Sequence, residues 1–325
     1  MSLKKNKNIL DTIGNTPLIK LNRITKEVKA DIFAKLEFIN PFGSVKDRTV
    51  KFMLEKAEKE GRVHPGTTIV ENSSGNTALA LAGICALKGY KLKIIIRDNL
   101  SADKIKFLKA MNVQLIMVDH TLPPEAPESY NNLAAKIARE TSDSYYLDQH
   151  NNRENNESHY KTTGPEIWKQ MKGRLDYFIA GIGTGGTICG AAKYLKEKDP
   201  SIKVIAIDPA GSIFYDYFYS KKIVKPAPYL IEGLGDEFLI GCVDFSVIDD
   251  FYRVYDKHAF QMTRNLANEE AILAGGSSGA AIWGALKLAQ SLNQKSRIVT
   301  IFPDSANRYL STIYNNDWLR DKGFL

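Results

Sequence analysis

The 325-residue chain is 44% hydrophobic and 25% charged, which supplies one large core or two moderate ones and marks a soluble globular protein. Its formal charge of +7 is modest for this length, and the lysines at Lys4, Lys5 and Lys7 and at Lys221, Lys222 and Lys225 form no basic face interleaved with aromatics, so no nucleic-acid partner is expected. No apolar run approaches the roughly 20 residues that span a bilayer, and none follows the charged N-terminus, so no membrane association and a cytoplasmic location are expected.

From Asp31 onward, short β-branched runs alternate with helical patterns, the signature of parallel strands joined by crossover helices. An extended stretch from Asp31 to Glu37 leads to a helix from Asp47 to Glu60, a strand from Thr67 to Glu71 and a helix from Asn76 to Lys88. Then come a strand from Lys91 to Arg97, a helix from Ala102 to Met111, a strand from Val113 to Val118 and a helix from Asn131 to Thr141. Beyond a polar stretch from Asp148 to Tyr160, strands are expected at Tyr177 to Ala180, Lys203 to Asp208 and Arg297 to Phe302. The helices among them are expected at Gly186 to Lys198, His258 to Glu270 and Gly279 to Leu292.

Most strands are continuous apolar runs, so both faces of each sheet should be covered. The pattern predicts an α/β fold of two doubly wound lobes with mostly parallel sheets. The smaller lobe is expected over residues 45–152 and the larger over 1–44 and 153–325, with Asp148 to Tyr160 as the crossing. Cys85, Cys189 and Cys242 are far apart, without C-x-x-C spacing or adjacent histidines, so all three are expected reduced and structural and no metal site is predicted.

Open parallel sheets bind ligands beyond the carboxyl ends of their strands, which directs attention to the loops that follow strands. In Asn40-Pro41-Phe42-Gly43-Ser44-Val45-Lys46-Asp47-Arg48, a turn hands over to a helix that Ser44 can cap, and Lys46 sits at its mouth. Unpaired N–H groups and the positive helix end disfavour a protonated amine there and suit Schiff-base chemistry, although a lysine at a helix start is ordinarily a solvated charge. Glu71-Asn72-Ser73-Ser74-Gly75-Asn76-Thr77 gathers backbone N–H groups, hydroxyls and an amide in one short arc that suits a carboxylate. Gly181-Ile182-Gly183-Thr184-Gly185-Gly186-Thr187 exposes consecutive N–H groups at a helix start, a phosphate cradle. The same stretch satisfies G-x-G-x-x-G, with Asp208 ending the next strand, so a nicotinamide-dependent oxidoreductase is a rival reading; the motif's place past mid-chain counts against it. Two further stretches are Ala274-Gly275-Gly276-Ser277-Ser278-Gly279-Ala280 and Phe302-Pro303-Asp304-Ser305-Ala306-Asn307-Arg308-Tyr309, whose Ser305 is expected either at the carboxyl edge of the sheet or as a helix cap.

Together, Gly14-Asn15-Thr16-Pro17-Leu18, the Lys46 segment, Ser74-Gly75-Asn76-Thr77, Gly183-Thr184-Gly185-Gly186-Thr187 and Pro303-Asp304-Ser305 resemble, in order and spacing, the cysteine synthase and cystathionine β-synthase family. Its members are pyridoxal-phosphate enzymes of the tryptophan synthase β-subunit fold, fold type II. The resemblance runs from about Ile9 to Trp318. It implies pyridoxal 5'-phosphate as cofactor, joined covalently to Lys46, which later carries the substrate's α-proton. Asn76 would meet the 3'-oxygen of the ring, Gly183, Thr184, Gly185, Gly186 and Thr187 the phosphate, and Ser305 the pyridine nitrogen. Ser73, Ser74, Thr77 and Gln149 would bind the substrate carboxylate from the smaller lobe, and the phosphate and ring-nitrogen contacts would come from the larger. A homodimer is the family expectation.

A serine hydroxyl at the ring nitrogen draws electrons less than a carboxylate would, so charge leaves through the β-carbon. The implied course is loss of a β-substituent, addition of a nucleophile and protonation by Lys46. Asn72, Ser73 and Ala78 stand where the family loop has proline, threonine and glycine. In Glu232-Gly233-Leu234-Gly235-Asp236-Glu237-Phe238, Asp236 and Glu237 replace residues that are small in cysteine synthases; either would orient an amino-bearing nucleophile or activate water or a thiol, or is simply solvated. The expected reaction is β-replacement on a serine-type amino acid with a thiol or sulfide. Cysteine synthesis from O-acetylserine and sulfide ranks first, cystathionine synthesis from serine and homocysteine next, and a cysteine-consuming, sulfide-releasing variant third. A catalytically silent binding protein of the same fold is the alternative from another class.

Overall fold

Runs of isoleucine, valine and alanine too apolar to leave a face in water build the sheets of a computed structural model that describes residues 6–98, 102–122 and 126–325. Lys4 and Lys5 of the first lysine cluster lie outside the described residues. Along the chain the strands are β1 (Leu18–Lys20), β2 (Asp31–Leu36), β3 (Thr68–Asn72), β4 (Lys91–Arg97), β5 (Gln114–Val118), β6 (Ser144–Tyr146), β7 (Tyr177–Gly181), β8 (Lys203–Pro209), β9 (Asp250–Val254) and β10 (Arg297–Phe302). The helices are α1 (Lys46–Lys59), α2 (Asn76–Lys88), α3 (Ala102–Ala110), α4 (Tyr130–Glu140), α5 (Glu154–Lys161), α6 (Thr163–Gln170), α7 (Gly186–Lys198), α8 (Phe214–Ser220), α9 (Asp256–Glu270), α10 (Gly276–Ser291) and α11 (Asn316–Asp321).

One sheet has the order β1-β2-β10-β7-β8-β9 and the other β5-β4-β3-β6. Every pairing is parallel except β1 with β2, so the fold is α/β with crossover helices. Buried runs alternate between two faces. Ile179, Ile205 and Ile207 meet the α9 and α10 side, whereas Phe178, Ala180, Val204 and Ala206 meet Ile167 of α6, Ile188 of α7 and Phe214 of α8. In the smaller sheet Ile69, Ile94 and Ile96 pack on Val50 and Leu54 of α1 and Leu81 of α2, while Val70 and Ile95 pack on Ala134 of α4. Register then aligns the strand ends: Leu36 lies opposite Phe302, and Asn72 opposite Ile95, so the loops that follow β2, β10, β7, β3 and β4 open on a common cleft.

The polar stretch from Asp148 to Tyr160 is partly helical. Its second half is α5, packed between α1 and α7, with Asn155, Ser158 and His159 buried. The helix escaped the hydrophobic pattern because its buried face is polar. Short β1, β6 and β9, together with α6, α8 and α11, also lacked a sequence signal; α9 and α10 begin two and three residues earlier than expected. Cys85, Cys189 and Cys242 are free thiols, all buried. Among the described residues, no helix is long and apolar enough to cross a membrane.

The helix that carries Lys46 is clamped by charge. Arg48, in the first turn of α1, meets Glu37 at 2.6 and 2.9 Å and Glu166 of α6 at 2.7 Å through two nitrogens. Lys35, fully buried on β2, reaches Glu166 at 2.8 Å and the Thr16 carbonyl at 2.9 Å. Two carboxylates face two cations, so the desolvated charges are compensated. Burial alone would raise both carboxyls, but Arg48 overrides it, holding Glu37 below the usual range and Glu166 down at about 2.

Arg48→Met leaves Glu37 buried and unpaired. The expected loss is about 3–5 kcal/mol in urea unfolding, and a loss under about 1 kcal/mol would show that the cluster does not hold α1. Because these carboxyls are depressed in the fold, their stabilisation is present above the unfolded value of roughly 4.3. It is lost as the pH falls toward about 2.

Candidate active site

Lys46 opens α1, is half-buried, and stretches its Nζ to within 3.4 Å of Thr184 Oγ1 in the turn between β7 and α7. Burial lowers its amine to about 8, with Cys242 and Glu71 opposing. Burial rather than the helix terminus is therefore the leading cause. Neighbouring His150 is pushed down to about 4 by burial and by Lys46, and so is neutral at physiological pH.

The 183–187 turn is pressed between other segments on several sides. A Cβ on Gly183 would lie 2.4 Å from the Gly233 carbonyl, and one on Gly186 would lie 1.9 Å from Asn155 Oδ1. Gly185 has φ +83°, the left-handed region that favours glycine. Among the described residues, no acceptor within the chain takes the backbone amides of residues 183–187. Asp208, which would complete a dinucleotide fingerprint, is fully buried and accepts the Tyr215 amide at 2.9 Å to start α8, so it is not placed to read a ribose.

On the opposite wall, Asn76 at the start of α2 donates to Asp304 at 2.8 Å, and its Oδ1 is buried without a partner. Asp304 also accepts the Tyr309 hydroxyl at 2.7 Å. The segment is pinned to the Lys46 turn, since the Val45 amide donates to the Pro303 carbonyl at 2.8 Å. Half-buried Ser305 follows and bridges to Ala274, so the glycine- and serine-rich stretch that runs into α10 serves to seat it. Asp304 entered the sequence reading only as a possible helix cap and as part of Pro303-Asp304-Ser305, without a role in the site.

The serine loop is pre-folded. Ser73 Oγ accepts the amides of Gly75 and Ala78 at 3.3 Å each, which occupies its oxygen and leaves its proton to donate. Ser74 faces the Tyr130 hydroxyl. Thr77 gives its proton to Gln149 Oε1 at 2.6 Å, so Thr77 braces the glutamine, whose side chain also lies against Glu71. Behind them Glu71 is fully buried at the end of β3, and burial together with Asp148 pushes its carboxyl up to about 8.

The acidic loop divides in two. Gly235 donates to the Ile182 carbonyl at 2.7 Å, which stitches the loop to the end of β7. Asp236 is half-buried, and burial plus Glu237 raise its carboxyl to about 6 against the pull of Arg97. Glu237 is exposed and only its amide turns inward, to Asp236 at 2.7 Å. Arg97, a residue missed from sequence, ends β4 with its guanidinium 5.1 Å from the centre of the Tyr130 ring, and its amide points at Ser74 Oγ, 3.4 Å away. Its charge is felt by Asp236 and Tyr229 across the cleft.

These features fit pyridoxal phosphate: amides without acceptors in the chain among the described residues, a glycine turn packed so tightly on Asn155 that no Cβ fits at Gly186, and a buried Asn76 oxygen that lacks a partner. Comparison with known proteins agrees. A family profile described as "Pyridoxal-phosphate dependent enzyme" matches residues 9–304. A cystathionine β-synthase from Apis mellifera is 42% identical over 319 residues, 98% of this chain and 63% of that protein, so the chain spans under two thirds of that relative's length. A cysteine synthase from Staphylococcus aureus is 40% identical over 322 residues, 98% of this chain and 100% of that protein. The crystal structure of an O-acetylserine-dependent cystathionine β-synthase from Helicobacter pylori superposes with a TM-score of 0.88 at 36% identity, covering 96% of this chain and 100% of that one. On sequence, fold and cleft alike, the chain belongs to the pyridoxal-phosphate dependent enzyme family.

Proposed function

We propose that this enzyme performs β-replacement on a serine-type amino acid, with the thiol of a second amino acid as the incoming group. The observation that carries the reading is the convergence of Lys46 on the 183–187 turn, with serine and glutamine side chains on one side and Asp236 on the other. A homodimer and a cytoplasmic location belong to the same reading.

When bound, pyridoxal phosphate supplies an aldehyde for covalent capture of amino groups and a ring that withdraws electrons from the substrate's α-carbon. Lys46 holds the cofactor and moves the α-proton. At about 8 its amine is held low, so roughly a tenth is neutral at pH 7, against less than about one in a thousand for an amine at ~10.4. The amides of residues 183–187, with Thr184 and Thr187, hold the phosphate; Asn76 faces the ring oxygen and Ser305 the ring nitrogen. Ser73, Ser74 and Gln149 bind the substrate carboxylate, with Thr77 supporting the glutamine.

Asp236, with its carboxyl near 6, is largely ionised at neutral pH and matched to take the proton from an attacking thiol. Arg97 on the facing wall suits the carboxylate of an amino-acid thiol, and Asp236 or Glu237 suits its ammonium; sulfide offers neither group. The Helicobacter pylori relative, O-acetylserine-dependent and cystathionine-forming, combines the donor and acceptor that this reading favours. A second reading, cysteine synthesis from O-acetylserine and sulfide, draws support from the Staphylococcus aureus relative.

Lys46→Ala is expected to abolish the yellow imine absorbance and to lower turnover by about 10²–10⁴-fold or more; persistence of the absorbance defeats the assignment. Asp236 accepts protons only when ionised, so kcat/KM for the thiol should rise with pH through about 6. Asp236→Asn should remove that limb, and a limb that survives the substitution points to another base. Arg97→Gln is expected to raise KM for homocysteine by about tenfold or more and KM for sulfide by less; a uniform change would favour the sulfide reading.

A further inference from the structure

Behind the 183–187 turn, α5 presents two buried side chains one helical turn apart, Asn155 and His159, to the hydroxyls of Thr184 and Thr187. We propose that these two are positioning residues that orient both threonine hydroxyl protons toward the anion site, leaving a lining made of donors only. The proposal rests on reading that turn as the cradle of a phosphate ester.

The order of protons follows from which groups can only accept. The Gln149 carbonyl lies 2.8 Å from the Asn155 amide, so the nearer atom is Nδ2, and the other N–H of that group goes to Thr184 Oγ1 at 3.0 Å. Thr184 therefore cannot donate to Asn155, and its proton is free for the cleft. Asn155 Oδ1 then faces Thr49 Oγ1 at 3.4 Å and, being an acceptor, takes the Thr49 proton. Thr49 Oγ1 also lies 3.0 Å from His159 Nε2, and with its single proton already committed it must accept there. Nε2 is thus the protonated nitrogen of His159. The same N–H is 3.2 Å from Thr187 Oγ1, so Thr187 accepts as well and its proton is left for the cleft. Nδ1, bare, takes the Thr163 hydroxyl at 2.8 Å.

The ring stays singly protonated because it is fully buried among cations. Burial, then Arg48, then Lys46 hold its imidazolium far below the ordinary range, and Glu166 only partly offsets them. With the 183–187 amides already lacking acceptors, both hydroxyls add donors and none of these groups competes for them. An anion bearing acceptors alone meets no mismatched lone pair there.

Selective ¹⁵N labelling of histidine in the holoenzyme tests the order directly. His159, one of five histidines and assigned by its loss in His159→Gln, should show protonated Nε2 and bare Nδ1 across about pH 6–9. A bare Nε2, or a ring that titrates in that window, overturns the proposal. Affinity is then measured by titrating cofactor-depleted full-length protein with pyridoxal phosphate and with pyridoxal, which lacks the phosphate. His159→Gln, which keeps an N–H near the Nε2 position, should bind pyridoxal phosphate within about threefold of the parent, and His159→Leu about tenfold or more weakly. Pyridoxal affinity should be unmoved in both. Equal losses in the two variants, or a parallel loss for pyridoxal, overturn the positioning role. A protonated Nε2 combined with unchanged phosphate affinity in His159→Leu overturns it through the cradle reading instead.

Discussion

Among the described residues, the five consecutive backbone amides of 183–187 find no acceptor within the chain, and the segments around them pack so that this turn stays exposed to the cleft rather than to a chain acceptor. The glycines at 183, 185 and 186 let three other segments close in: the Gly233 carbonyl, the Cys242 to Val243 backbone and the Asn155 side chain. At each of these positions a Cβ would collide with the segment packed against the turn. The free amides face the one direction left, where the amine of Lys46 arrives from the other side of the cleft.

That arrival needs a rigid lever. Lys46 belongs to a helix packed in the smaller sheet's layer, and its target belongs to the larger sheet. The Arg48, Glu37, Glu166 and Lys35 cluster fixes the first turn of α1 to β2 and α6 with short, paired, buried contacts. A charged clamp adds little net stability over an apolar one, but it tolerates few alternative geometries, and geometry is what a lysine one side chain away from its partner requires. The Asn76 to Asp304 bond and the Val45 to Pro303 bond draw the same two layers together on the other flank.

Charge is distributed across the cleft by function. Burial lowers the Lys46 amine and raises the Asp236 carboxyl, so that both sit within reach of neutral pH and both can trade protons. Arg97 and Asp236 feel each other's opposite charge across the cleft, a polarity that the proposed zwitterionic thiol would match.

Much of this was legible in the chain before any coordinates. Strands such as Lys91–Arg97 and Arg297–Phe302 carry buried apolar runs, Ile94 to Ile96 in one and Ile298, Val299, Ile301 and Phe302 in the other, and the turns after them are written in adjacent residues, so backbone preference and hydrophobic pattern suffice to locate them. The Lys46 turn, the serine arc and the glycine turn are local motifs of that kind. What adjacency could not reveal is the company each residue keeps. Residues 46 and 184 meet, as do 76 and 304, and 77 and 149, only because strand register places their loops on one edge. The polarity of α5 read as solvent exposure, since composition cannot tell a wetted polar helix from one whose polar face is buried against hydroxyls and glycines. Local chemistry was therefore settled by sequence neighbours, whereas proton order, burial and charge pairing depend on distances between segments that only the packed tertiary structure decides.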